Sequence, residues 1–136
     1  MEKGTVCAFR LYSVLLGMIG VKKMTGEHTD EYLEKAVESE YDHCVTKHGN
    51  FKNHHEGYAV MLEEVQEVTE AASAFPVIAN REMHELWNMI RKDETDGFQE
   101  CIEKISDIAE ELAKESIQVM AMCRKWNDLL AKENEA

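Results

Sequence analysis

Apolar residues recur at helical spacing through most of the chain from Thr29 onward. Thr29 is an N-cap candidate for a helix from about Asp30 to His48, and Gly49 suits its C-terminal stop. Tyr32, Ala36, Tyr41 and Val45 are the candidates for its buried face. Gly49 to Asn53 reads as a loop. A second helix is predicted from about His54 to Phe75, ending at Pro76, which lacks an amide hydrogen and clashes with the preceding turn. A third, from about Asn80 to Lys92, carries Met83, Leu86, Trp87 and Ile90. Asp93 to Gly97 (DETDG) is a turn, and a last helix runs from about Phe98 to Ala131. Helices of this number with short connections predict an all-α fold, an antiparallel bundle of about four helices.

Two positions break the apolar stripes. In the last helix, Ile105, Ile108, Leu112, Val119, Met122 and Trp126 follow one another by three or four residues, except for a step of seven after Leu112. The residue that fills the gap is Glu115. In the second helix, Val60, Met61, Val68 and Ala71 lie three, four or seven residues from Glu64. A buried, unpaired carboxylate costs several kcal/mol or takes up a proton. A divalent cation between two of them removes the cost, because carboxylate oxygens are hard ligands suited to magnesium or manganese. Glu67, one turn on from Glu64, completes a two-toothed Glu64-x-x-Glu67 clamp, with Glu115 as third ligand. The competing reading is a solvated acidic face, since ExxE spacing arises easily among 27 acidic residues. Glu40-x-x-His43 matches half of a di-iron bundle motif, but a second match on another long helix is lacking.

Composition narrows the function further. The chain has 136 residues, the size of one domain, and few helix breakers: one proline and seven glycines. A formal charge of −12 disfavours nucleic acid as a partner, yet it is compatible with small phosphorylated substrates bridged by a cation. Cys7, Cys44, Cys101 and Cys123 form no CxxC pair, so buried free thiols in a reducing, cytoplasmic setting are expected. The apolar run Leu11 to Val21 is too short to span a bilayer, and no membrane partner is expected. Residues 1–23 are an N-terminal extension with three readings: an extra helix, a start site called too early with Met24 the true beginning, or a weak signal-peptide core without a convincing cleavage site. Residues 24–136 then form the helical domain.

The run His55-Glu56-Gly57-Tyr58-Ala59-Val60, followed by Leu62-Glu63-Glu64-Val65-Gln66-Glu67-Val68, resembles the first motif of MazG-like proteins, whose core is Glu-Glu-x-x-Glu. Lys114-Glu115-Ser116-Ile117-Gln118-Val119-Met120-Ala121-Met122 resembles the second motif as phage and prophage members carry it. The resemblance covers about Thr29 to Trp126 and implies an all-α homodimer or homotetramer. It implies magnesium-dependent (or manganese-dependent) cleavage of nucleoside triphosphates to monophosphate and pyrophosphate, with Glu64, Glu67 and Glu115 as metal ligands. The family commonly has aspartate where Gln118 stands. An amide oxygen coordinates without charge, which weakens metal affinity and leaves open a binding relative without turnover. The separation between the motifs is longer than usual, so the helix around Trp87 reads as an insertion. Glu63 and Glu64 are the carboxylates for catalysis. His55 and Tyr58 are candidate substrate contacts, Tyr58 by stacking on a base. Lys125, Arg124 and Lys114 are cations able to steady leaving pyrophosphate, and each is equally well read as a solvated basic residue.

Overall fold

The computed structural model describes residues 31–136. The chain divides into two compact units, Met1–Glu34 and Lys35–Ala136, and only the last four residues of the first fall in the described range. Three helices make up the described chain: α1, Glu31–His48; α2, His54–Arg91; and α3, Phe98–Glu135. Thr29, Asp30 and the extension 1–23 lie outside the described residues. No helix among the described residues is long and apolar enough to cross a membrane.

Local chemistry sets most boundaries. Gly49 adopts φ 74°, the left-handed conformation that glycine takes without steric penalty, and its amide donates to Val45 O at 2.8 Å to close α1. Asn53 caps α2 by accepting from Glu56 N at 2.9 Å, while Glu56 reaches back to Lys52 N at 2.8 Å. The far end of α2 closes in a Schellman motif. Asp93 takes the left-handed position at φ 56°, its amide donates to Ile90 O, and Glu94 N donates to Met89 O.

The break expected at Pro76 is absent. α2 runs unbroken through it, so the two predicted central helices are one helix of 38 residues. An interior proline costs about 3 kcal/mol through the lost hydrogen bond and the clash with the carbonyl four residues earlier, here that of Ala72. Packing along α3 on both sides of the proline offsets that cost. Ala71 and Ala79 flank Pro76 and are both buried, so the two long helices stay in contact across it. Just before it, Thr69 and Ser73 hydroxyls donate to the carbonyls four residues back, Val65 and Thr69, both at 2.8 Å.

The core gathers where α1 crosses the open end of the α2–α3 hairpin. Phe51, Ala121, Met122 and Leu129 are buried together, with Tyr41, Cys44, Val60, Met61 and Trp126 packed around them. The Tyr41 hydroxyl donates to the Asp128 carboxylate, which ties α1 to α3. Trp126 Nε1 donates to His54 Nδ1 at 3.0 Å, and His54 Nε2 meets Glu133 at 2.8 Å. Those two contacts pin the start of α2 to the end of α3.

Two expected faces form only in part. On α1 the buried residue is Val37; Ala36, Tyr41 and Val45 are half-buried, and Tyr32 is exposed. Around the predicted insertion, Met83, Trp87 and Ile90 are exposed, because their side of α2 points away from α3. The seam there is built from Ala79, Glu82 and Cys101 instead. Of the thiols expected to be buried, Cys101 is buried, Cys44 half-buried and Cys123 exposed, while Cys7 lies outside the described residues.

Candidate metal centre

Glu64 and Glu67 project one turn apart from α2, and Glu115 faces them from α3. One carboxylate oxygen from each lies within 4.8 Å of the others. Glu64 and Glu115 are half-buried, as their places in the two apolar stripes require, and Glu67 is exposed. The antiparallel pairing of α2 and α3 brings together residues that are 48 to 51 positions apart in sequence.

Gln118 joins them from the next turn of α3. With the amide nitrogen turned inward, it donates to Glu64 Oε2 at 2.9 Å and to Glu115 Oε2 at 3.0 Å. With the amide oxygen inward, four side chains would converge on one point through oxygen alone. A cation or a protonated carboxyl would be needed to stabilise that second arrangement.

The electrostatics agree with the geometry. Burial pushes the Glu64 carboxyl above the usual carboxylate range, and Glu67, Glu63 and Glu40 push it further. Burial raises Glu115 as well, followed by its hydrogen bond with Glu67 and by the charges of Glu67, Glu111 and Glu64. Crowded hard anions that resist ionisation are the donor set a small divalent cation favours.

Glu40 was not assigned to this site from the sequence, where it appeared only as half of an incomplete di-iron motif. It stands on α1, close enough for its charge to act on Glu64, and it accepts the Cys44 thiol at 3.3 Å. Burial, then that hydrogen bond, lifts the Cys44 pKa to about 11, so Cys44 stays a thiol and a donor. His43, the other half of the motif, is exposed.

The remaining candidates are more dispersed. Glu63, His55 and Tyr58 are exposed on α2. Lys125 is not the solvated cation its composition suggests: it is 4% exposed, and its ammonium sits 4.4 Å from the centroid of the Phe51 ring. It lies two turns beyond Gln118 on the same side of α3, roughly 10 Å along the axis. Lys114 pairs with Glu110 at 3.0 Å, and Arg124 is half-buried.

A search against protein-family models, curated proteins and solved structures found no match for this chain.

Proposed function

We propose that this chain is a MazG-like, metal-dependent nucleotide pyrophosphohydrolase that cleaves nucleoside triphosphates to monophosphate and pyrophosphate. The observation that carries the reading is the meeting of Glu64, Glu67, Glu115 and Gln118 at one point between two antiparallel helices. These are the positions at which the two sequence motifs resemble the family's metal ligands. The donor set fits a hard divalent ion, magnesium or manganese: Glu64, Glu67 and Glu115 would hold it, and the Gln118 amide oxygen would add a neutral fourth donor. An ion bound there supplies charge neutralisation between carboxylate and phosphate, and a more acidic water.

The chain's own residues do the rest. Glu63 projects to solvent beside the cluster and is the carboxylate left over to take a proton from the attacking water. His55 and Tyr58, exposed on the first turns of α2, are available to the nucleotide. Lys125 is the weaker substrate contact, since Phe51 already engages its ammonium.

Assembly into a homodimer or homotetramer is part of the same reading. Tyr58, Leu62 and Val65 form an exposed apolar stripe on α2. Beside it, Val65, Val68, Thr69, Ser116, Val119 and Met120 line an apolar groove of about 260 Å³ between α2 and α3. A cytoplasmic location fits the free thiols, which a reducing compartment would keep intact.

The deciding experiment is pyrophosphate release from a panel of ribo- and deoxyribonucleoside triphosphates, with magnesium or manganese and with chelator. Metal-dependent release is expected, and its absence with every nucleotide would overturn the enzyme reading. The second reading, a relative that binds metal or nucleotide without turnover, is favoured by one observation. The Gln118 amide satisfies both half-buried carboxylates by itself, where an aspartate would add charge and demand an ion.

A further inference from the structure

A cleft of about 400 Å³ opens between α1 and α3. Ala36 and Ile117 provide its apolar surface, and Ser39, Glu40, Lys114 and Gln118 its polar one. That volume is in the range of small-molecule sites. Gln118 belongs both to this lining and to the carboxylate cluster, so the cleft is next door to the candidate metal centre. The small side chains Ala36 and Ser39, three residues apart on α1, leave the space open.

We propose that this cleft holds the nucleobase of the substrate, and that Glu40 selects bases with an amino group at cytosine C4 or adenine C6 over uracil, thymine and guanine, which carry a keto oxygen there. The inference rests on the pyrophosphohydrolase reading and names the substrate class of the same site. A phosphate chain held at Glu64, Glu67 and Glu115 leaves its nucleoside to extend away from the cluster, and the cleft begins at the shared wall, Gln118. The flat, mostly apolar face of a base covers Ala36 and Ile117. The Glu40 carboxylate accepts hydrogen bonds only. The Cys44 thiol holds its Oε1 at 3.3 Å, leaving Oε2 for a donor in the cleft. An amino group at the cytosine or adenine edge donates to it, as cytosine N4 donates to carboxylates in nucleic-acid recognition. The keto oxygen of uracil or thymine at the same place meets a second acceptor and is repelled. The Cys44 thiol, half-buried beneath this pair, is a positioning residue for the carboxylate.

The test uses the full chain and uncharged nucleosides, which need no metal. Cytidine, adenosine and uridine are titrated while the Ala36 and Ile117 methyl resonances are followed. Cytidine and adenosine are expected to shift these signals with affinity at least about tenfold above uridine. Glu40→Gln, whose amide both accepts and donates, should reduce that ratio to about threefold or less. Ser39→Phe, which fills the cleft, should remove the response with helical content unchanged by circular dichroism. Equal response to cytidine and uridine overturns the proposal, and so does a response at Val119 and Met120 in place of Ala36 and Ile117, or none at all. Pyrophosphate release separates the two readings. Turnover without preference for amino-bearing bases removes the cleft proposal alone, whereas selective nucleoside binding without turnover removes the enzyme reading alone.

Discussion

The α2–α3 hairpin has two halves that handle apolar surface differently. Near its open end, α1 lies against it, and Phe51, Ala121, Met122 and Leu129 are buried among three helices. Toward its closed end, beyond Pro76, two helices run side by side among the described residues. There Val77, Met83, Trp87, Ile90 and Ile102 are exposed, and the seam is made by Ala79, Glu82 and Cys101. Two helices share one line of contact, so the buried seam is narrow and several larger apolar residues face outward. A third helix converts the same periodicity into an enclosed core. The candidate metal centre sits on the three-helix side of Pro76, where burial raises the Glu64 and Glu115 carboxyls.

Mutations that read this contrast differ widely in expected size. Phe51→Ala removes a ring from the enclosed core and the face that Lys125 rests on. A loss of about 3–5 kcal/mol in chemical denaturation is expected, and a loss under about 1 kcal/mol would mean that the core is far looser than its burial implies. At the boundary between the halves, Pro76→Ala restores a helix hydrogen bond and relieves the clash with Ala72. It should stabilise the chain by up to about 3 kcal/mol; no gain would mean that the local backbone at Pro76 is itself required by packing.

The acidic cluster adds a carboxylate pH dependence opposite in sign to that of the Glu82 carboxyl at the closed end. Glu64 and Glu115 have folded pKa values raised above the ordinary 4.5, so each binds its proton more tightly folded than unfolded. Their contribution is fully present below pH 4.5 and is lost as the pH rises through the raised values. Metal-free protein should therefore lose stability over that interval, and manganese added at neutral pH should restore it. Glu115→Gln should flatten its share of the profile and abolish manganese binding by calorimetry; retained binding would remove Glu115 from the ligand set. Gln118→Asp should act oppositely, with tighter manganese binding by about tenfold or more and a less stable metal-free form. At the closed end the sign is different. Hydrogen bonds from the Cys101 thiol and Arg81 hold the Glu82 carboxyl below its usual range, so its contribution is present above pH 4.5 and lost as the pH falls through the lowered value.

The smallest effect is expected on the exposed side of the two-helix half. Trp87→Ala should change the unfolding free energy of dilute protein by about 0.5 kcal/mol or less, because the ring is 56% exposed. A larger loss that grows with protein concentration in sedimentation experiments would place Trp87 in a contact between copies of the chain.

Helix content, the turn at DETDG and the stop at Gly49 were all legible in the residues, since caps and turns depend on neighbours only a few positions away. So were Glu64 and Glu115, as charges standing where periodicity demands an apolar residue. The sequence alone did not reveal that α2 continues through Pro76, because a local rule with a cost of about 3 kcal/mol is outweighed by packing on both sides of it. Nor did it distinguish the exposed stripe at Met83, Trp87 and Ile90 from the one at Val60 and Met61, which faces the core: both have the same period, and only the packing of the helices against one another separates them. Glu40 joined the site for the same reason. Periodicity reports which residues share a face of one helix, whereas the identity of the face opposite is a property of the packed chain.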